Sequence, residues 1–503
     1  MRTDPRIAHT RLFHLSYCNL WNMVRDSSFL QLLGQYEIFF ISYPLFFSLL
    51  AIFVVVFILT TNKRKLLLPP SPPKLPIIGN LHNIGRYPHR SLKSLAQRFG
   101  PLMSLRFGNV PVLVVSSADA ASEIKKTHDL TFINRPKRRI YQKLLYNYKD
   151  VGSAPYGEYW RQMKSICILN LLSNKRVQSY RVVREEETAL AMEKIEKCSS
   201  LCSPVNLSEL FSATTNNVTC KISLGRKYSE DTNKFRKLLS EFTELLVAKE
   251  LDEFLDGVIK EHMNRHEKHV NDHAGIQGED QKDFVDALLD QIQRENTVGF
   301  PLEKISIKAL ILDIFVAGTH TTYAVLEWAM TEILRHPKIM KKLQNEVRNV
   351  SAENSSISED DLDNMHYLKA VIKETLRLYP PIPLLLPTIS TKDVKLKGYD
   401  IIKGTRVIIN AWAIGRDPAF LDNSKDFKGQ HFELIPFSSG RRICPGILFT
   451  IAINELLLAN LVHKFDWSLP GGAKEKDLDM AETIGLTIHK KSPLIAVANR
   501  CSF

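Results

Sequence analysis

The ten residues Phe437-Ser438-Ser439-Gly440-Arg441-Arg442-Ile443-Cys444-Pro445-Gly446 surround a single cysteine with glycines and arginines. The thiolate is the metal-binding form of cysteine, and a helix start with its free N–H groups favours it. The apolar stretch after Pro445 predicts a helix that begins at Cys444 and aims such groups at the sulfur. Gly440 and Gly446 flank the cysteine where a missing side chain lets backbone approach a flat ring closely. Arg442 adds a fixed cation two residues before the sulfur. A planar cofactor that offers a metal to the thiolate and a carboxylate to the arginine is haem, so Cys444 is the expected iron ligand and Arg442 a propionate partner. The competing reading is a buried structural cysteine in a Gly-rich turn.

These residues need a scaffold, and the hydrophobic periodicity supplies one. Stretches Val182 to Glu196, Ile305 to Arg335 and Asp361 to Leu378 carry apolar residues at three- and four-residue spacing and predict helices. Leu102 to Val115 alternates around a Gly108-Asn109 break and predicts a hairpin, followed by a short helix from Ala118 to Lys126. A second small strand region is expected from Val394 to Val407. His262, His266, His269 and His273 share a spacing that could mimic a zinc site, but the segment to Asp283 is dense in charged and polar residues and reads as a solvated linker.

The chain has 503 residues, 67 Lys+Arg against 54 Asp+Glu, and a net charge of +13. No Gly/Ser-rich linker divides it after residue 80, so one large domain is expected. Seven cysteines, odd in number and without framework spacing, fit a reducing compartment. The positive charge suits an anionic membrane surface or an acidic protein, not nucleic acid, because the basic residues are scattered and not interleaved with aromatics. Ile38 to Leu59 is uncharged, apolar and long enough to cross a bilayer. Lys63, Arg64 and Lys65 follow and place the C-terminal side in the cytosol. The expected organisation is an atypical extension over 1–37, a single-pass anchor over 38–60, a basic and proline-rich tether over 61–80, and a catalytic domain over 81–503. The glycosylation patterns at Asn206, Asn217 and Asn354 are expected to stay bare in a cytosolic domain.

The stretch around Cys444 matches Phe-x-x-Gly-x-Arg-x-Cys-x-Gly, from Phe437 to Gly446, and on this signature the chain resembles the cytochrome P-450 superfamily of haem-thiolate monooxygenases, plant microsomal type. The resemblance implies a mainly α fold with small β-sheets behind one N-terminal transmembrane helix. It implies haem b with an axial Cys444 thiolate. Ala317-Gly318-Thr319-His320-Thr321-Thr322 resembles the family's oxygen-activation segment, in which Gly318 opens the helix over the haem and Thr321 supplies a hydrogen bond. His320 stands where the family usually has an acid, which predicts slower or leakier oxygen activation. Trp160-x-x-x-Lys164 resembles a propionate-binding Trp-x-x-x-Arg, while Thr388 stands where relatives often place another propionate cation. Glu374-Thr375-Leu376-Arg377 resembles the family's Glu-x-x-Arg, but the arginine motif that completes that trio is missing near 420–421. Left buried and incomplete, the pair would cost about 3–5 kcal/mol. A second segment is missing near 246–249, where relatives carry the roof of the substrate channel.

Ile382, Leu384 and Leu385 in the Pro380–Pro387 stretch, with Ile484 from the opposite wall, are expected to line an apolar substrate pocket, and Tyr141 to Asp150 to form a loop covering it. The implied function is oxidation of a small lipophilic molecule, terpenoid, alkaloid or phenylpropanoid-like, with O2 and electrons from an NADPH-dependent cytochrome P-450 reductase at the endoplasmic reticulum membrane. Two alternatives are a non-catalytic relative that binds haem poorly and a haem-thiolate isomerase that needs neither oxygen nor reductase.

Overall fold

A computed structural model describes residues 48, 50–52, 66–227, 248–271, 282–295, 302–350, 356–420 and 432–500. The chain divides into two units, 1–66 and 67–503. In the first, residues 48 and 50–52 are helical. The expected extension, the rest of the anchor, the basic residues 63–65 and the junction after residue 420 lie outside the described residues.

The second unit is mainly helical. Its main elements are α1 (Pro88–Phe99), β1 (Leu102–Phe107), β2 (Val110–Val115), α2 (Ala118–Ser122), α3 (Arg139–Leu144), α4 (Glu158–Cys167), α5 (Asn174–Ser179), α6 (Arg181–Ser200) and α7 (Leu207–Leu224). There follow α8 (Ala248–Asn271), α9 (Phe284–Glu295), α10 (Lys304–Arg335), α11 (Pro337–Val350), α12 (His366–Leu378), α13 (Ala411–Ile414) and α14 (Ile447–Lys464). The predicted hairpin forms with Leu102 paired to Val115 and Phe107 to Val110, closed by Gly108 at φ 57°. The valine-rich β2 then pairs in parallel with β7 (Arg406–Ile409), and β7 with β4 (Thr388–Ile389). A second sheet joins β3 (Val205–Asn206), β9 (Ile495–Arg500) and β8 (Phe465–Ser468), and β5 (Val394–Leu396) pairs with β6 (Tyr399–Ile401).

Helix boundaries follow local chemistry. Ser117, Ser173, Asn206 and Asn410 accept first-turn N–H groups of α2, α5, α7 and α13. Asn206 is thus spent as a cap, and Asn217 donates to Glu187. The predicted helix over 361–378 is broken in two, because Asp361–Asn364 forms a 3-10 turn and Met365 leaves helical geometry before α12.

Two apolar cores flank α10. Ile307, Ile311 and Phe315 pack in one with α7, α8 and α9, while Val325, Ile333 and Leu334 pack in the other with α6, α11, α12 and α14. Buried on several sides, α10 carries apolar residues around most of its circumference, and each fully buried apolar side chain contributes about 1.5–3 kcal/mol. α10 and α14 are both long and apolar enough to cross a membrane, but most of each is buried in the core.

The expected solvated histidine linker is instead helical up to Asn271, and His262 is fully buried. Its Nδ1–H donates to the Val258 carbonyl at 2.8 Å and its Nε2 meets Asp283 Oδ2 at 2.9 Å, so the ring ties α8 to the start of α9. Charged neighbours in the sequence hid the inward-facing His262 and its buried partner Asp283.

Candidate functional site

Cys444-Pro445-Gly446 forms the turn before α14. The helix begins at Ile447 and not at Cys444, because Pro445 has no N–H to commit and Gly446 is the N-cap, its carbonyl accepting from Thr450 N–H at 3.0 Å. The sulfur still receives an amide, that of Gly446. Cys444 N–H donates to Phe437 O at 3.0 Å and closes the loop. Burial pushes the Cys444 thiol above its ordinary range, against the pull of the Gly446 N–H and the Lys164 ammonium. Coordination to a metal cation would favour the thiolate against this burial.

The sulfur opens onto a cavity with about 1430 Å³ of space free of protein atoms, part of it open to solvent. α10 contributes Asp313, Ala317, Gly318 and Thr321, and the segment before β4 contributes Pro381, Ile382, Leu385 and Leu386. α4 adds Trp160, Lys164 and Cys167, and the loop before α14 adds Phe437, Arg442, Cys444 and Gly446. Most of the expected site residues thus meet in one cavity from four distant parts of the chain.

Others stand apart. Gly440 is not on the cavity wall: it has φ 73°, and a Cβ there would lie 2.6 Å from Asp129 Oδ1 and 3.0 Å from the Lys125 carbonyl. Its missing side chain serves packing between loops, not approach to a ring. His320 faces away from the cavity lining, its ring 5.7 Å from that of Tyr323. Leu384 packs under the β1–β2 sheet with Leu92 and Ile408, and Ile484 is 61% exposed in the C-terminal loop. Leu385 has φ 51° and its N–H donates to the Ile382 carbonyl at 3.1 Å, so a tight turn sends Leu384 and Leu385 to different sides. The Tyr141–Asp150 stretch supplies the end of α3 and a turn in which Tyr146, Asn147 and Tyr148 all have positive φ. Lys143, Leu144 and Tyr146 line a separate outer cleft with Asp252, Asp256 and Lys308.

Glu374 and Arg377 pair as expected, with Arg377 Nε and Nη2 on the two carboxylate oxygens at 2.7 and 2.5 Å. The feared buried charge does not arise, because the Glu374 side chain is 53% exposed and Arg377 Nη1 finds the Gly415 carbonyl at 2.5 Å.

Three cations face the cavity. Arg442 donates to the carbonyls of Ile133 (3.1 Å), Val151 (3.2 Å) and Ala154 (2.6 Å), with its guanidinium 4.3 Å over the Trp160 ring. Trp160 Nε1–H donates to the same Val151 carbonyl at 3.0 Å. Lys164 Nζ donates to Arg441 O at 2.7 Å. Arg135, which the motifs did not reveal, donates to Gly152 O at 3.1 Å, Leu386 O at 2.6 Å and Pro387 O at 3.1 Å. It stands beside the buried Thr388, where the sequence had suggested a lost cation; in the sequence Arg135 is hidden as one member of a basic run with Lys137, Arg138 and Arg139. Burial lowers Arg135 and Arg442 to about 10 and about 9, which leaves both charged at neutral pH.

The counterbalancing acids are Asp150 and Asp313. Burial, and then the Asp150 charge, push Asp313 well above the usual carboxylate range, and burial raises Asp150 too. Asp313 accepts from Val151 N–H at 2.5 Å. The sequence signal for it was one carboxylate in the apolar run Ala309–Ala317. Two carboxyls that resist joint ionisation leave this wall positive.

A ring carrying two carboxylates and a metal fits these donors. The wall offers three cations and the Cys444 sulfur, and Gly446 has φ −88° with nothing nearer to its absent Cβ than Cys444 Sγ at 3.8 Å. The space beside the sulfur is thus open for a cofactor and not required by the protein's own packing. Thr321 Oγ1 donates to the Ala317 carbonyl at 2.5 Å, one turn back, so its hydrogen reaches the cavity only if the side chain rotates.

Residues 69–497 match the Cytochrome P450 family. Among curated relatives, Cytochrome P450 736A117 of Prunus mume is 56% identical, with 90% of this chain and 96% of the relative covered. Cytochrome P450 71A25 of Arabidopsis thaliana is 52% identical over 86% of this chain and 93% of the relative, and Norfluorocurarine oxidase of a Strychnos species 47% over 90% and 96%. Among solved structures, a zebrafish cytochrome P450 with abiraterone superposes with a TM-score of 0.72 at 23% identity, covering 83% of this chain and all of that one, a likeness of fold alone. A thiol and three cations around one cavity, on a helical scaffold shared with solved members and in a sequence close to plant members over nearly their whole length, have one explanation: the chain belongs to the cytochrome P450 family of monooxygenases, whose cofactor is haem b.

Proposed function

We propose that the chain is a membrane-anchored haem-thiolate monooxygenase that places one oxygen atom from O2 into a small lipophilic molecule, with electrons from an NADPH-dependent flavoprotein reductase. The observation that carries this reading is the convergence of Cys444 with Arg135, Lys164 and Arg442 on the cavity that also meets Gly318 and Thr321 of α10. Cys444 would ligate the iron, and Arg135, Arg442, Lys164 and Trp160 would hold the propionates. Haem, when bound, supplies the site of oxygen reduction and O–O cleavage. Ile382, Leu385 and Leu386 orient an apolar substrate and exclude water. Thr321 holds a hydroxyl at the cavity wall, and His320 handles protons behind it.

An alkaloid or terpenoid-like substrate is supported by the apolar wall and by the oxidase of a Strychnos species among the relatives. The uncharged run 38–59 with its basic flank supports a single-pass anchor in the endoplasmic reticulum with the catalytic domain in the cytosol. Segments missing near 246–249 and 420–421 remain part of this reading; the match to the Prunus relative runs over 505 positions although it covers only 90% of the chain. The haem-poor alternative is not favoured, and the buried-charge argument for it falls away, because Glu374 is half exposed and Arg377 is hydrogen-bonded to it and to the Gly415 carbonyl.

The test is the absorption spectrum of the reduced carbon monoxide adduct of the expressed chain. A thiolate-type red-shifted band that disappears in Cys444→Ser is the expected result, with NADPH-dependent product formation separating a monooxygenase from an isomerase. A parent and a Cys444→Ser variant with the same band would refute the assignment.

A further inference from the structure

The main-chain groups of the short loop 150–154 point two ways. Its N–H groups go to two acids: Val151 N–H donates to Asp313 Oδ2 at 2.5 Å, Gly152 N–H also meets the Asp313 carboxyl, and Ser153 N–H donates to Asp150 Oδ2 at 2.6 Å. Its carbonyls go to side chains of the cavity wall. Val151 O accepts from Trp160 and Arg442, Gly152 O from Arg135, and Ala154 O from Arg442 again. Two peptide units therefore stand between an acid and an arginine. The unit joining Val151 to Gly152 turns its N–H to Asp313 and its C=O to Arg442. The unit joining Gly152 to Ser153 turns its N–H to Asp150 and its C=O to Arg135. Each dipole is aligned with the groups at its two ends, so a hydrogen bond at one end strengthens that at the other. Gly152 fits closely between the acids: a Cβ there would lie 3.2 Å from Asp150 Oδ2 and 3.5 Å from Asp313 Oδ1.

We propose that Asp313 and Asp150 are positioning residues for the cofactor: through these two peptide units they fix the directions in which Arg442 and Arg135 present their remaining N–H groups to the cavity. This rests on the reading of both arginines as propionate partners. Each guanidinium makes three bonds to carbonyls, which leaves two of its five N–H groups for a carboxylate. A peptide unit between acid and arginine orients the guanidinium without neutralising it as a direct ion pair does, so its charge still serves a ligand. Asp313 belongs to α10, and the same link ties the propionate end of the cavity to the helix that carries Gly318 and Thr321. Burial raises both carboxyls, so what the loop takes from them is an acceptor oxygen, which an asparagine retains.

The test loads the full-length protein with haem or with haem dimethyl ester, in which both propionates are capped, and measures the rate of loss to an excess of a haem-scavenging apoprotein. Asp313→Ala should lose haem roughly tenfold faster than the parent, the effect of one hydrogen bond to a charged group, and should lose the ester no faster. Asp313→Asn should recover most of the parent's rate. Asp150→Ala should show the same selectivity for haem, and in an Arg135→Ala background it should add nothing. Where Asp313→Ala gives no folded chain, the Asp150 and Arg135 pair decides alone. Equal haem loss from the parent and from the alanine variants overturns the proposal. So does a variant that loses haem and ester faster by one factor, which makes the acid a support of the loop alone, and so does an additive loss in the Asp150→Ala, Arg135→Ala pair. These three results leave the monooxygenase reading standing. A parent that loses haem and ester alike removes the reading of the arginines as propionate partners, and the proposal with it.

Discussion

Two glycines that look alike in the sequence do different work, and paired alanine substitutions separate them. At Gly440, with φ 73°, an alanine enters the left-handed region at a cost of about 1–2 kcal/mol. Its methyl also lands 2.6 Å from Asp129 Oδ1, which cannot swing away freely because Arg441 holds Asp129 through its main-chain N–H and its guanidinium at 2.9 Å. Overpacking of this kind adds about 1–3 kcal/mol, so Gly440→Ala should lose about 2–5 kcal/mol of stability. At Gly446, φ is −88° and the nearest atom to a new methyl is Cys444 Sγ at 3.8 Å, an ordinary contact. Without haem, Gly446→Ala should match the parent or exceed it by about 0.4–1 kcal/mol through a stiffer unfolded chain. With haem, the same methyl intrudes on the space beside the sulfur, and a penalty of 1–3 kcal/mol weakens haem binding roughly 5- to 150-fold. Urea unfolding of the haem-free chain, followed by tryptophan fluorescence, measures the first effect, and absorbance titration with haem the second. A Gly446→Ala chain that binds haem as the parent does would refute the placement of a ring against this turn, and a Gly440→Ala chain of parental stability would refute the packing argument.

Arg135→Ala should weaken haem binding roughly tenfold or more, since a hydrogen bond to a charged group contributes about 1.5–3 kcal/mol, and Arg135→Lys should recover part of it; equal affinities in the titration would show that Arg135 serves only the carbonyls of residues 152, 386 and 387. Glu374→Ala should cost under about 1 kcal/mol, as expected of an exposed partner, and Arg377→Ala about 1–3 kcal/mol, because it also orphans the Gly415 carbonyl; equal urea midpoints would contradict the difference in burial. Burial opposes charge on His262, but the hydrogen bond and charge of Asp283 outweigh it and raise His262 above its ordinary value of 6.5. Its stabilisation is therefore complete below that value and lost as pH rises through the folded-state value, so the urea midpoint of the parent should fall across that window relative to His262→Gln; parallel pH profiles would exclude the linkage.

Local sequence was enough to determine the thiolate loop, the central helix α10, the β1–β2 hairpin and the Glu374–Arg377 pair, because each depends on residues a few positions apart whose spacing sets their geometry. The Cys444 signature needed no distant partner to be legible, and neither did the apolar character of Ile382 and Leu385. What the tertiary structure decided is which side of an element a residue serves. Gly440 answers to Asp129, over three hundred positions earlier, and His320 packs against Tyr323, whose ring in turn meets His489 of the C-terminal loop. Arg135 carries no motif and joins the site only because the segment before β4 folds back over it. Leu384 and Leu385 share composition and part company because the chain between α12 and β4 is irregular, so no period assigns their faces. Spacing along a chain encodes local pairing, but burial, charge compensation and cavity walls arise where remote segments converge, and no local pattern carries them.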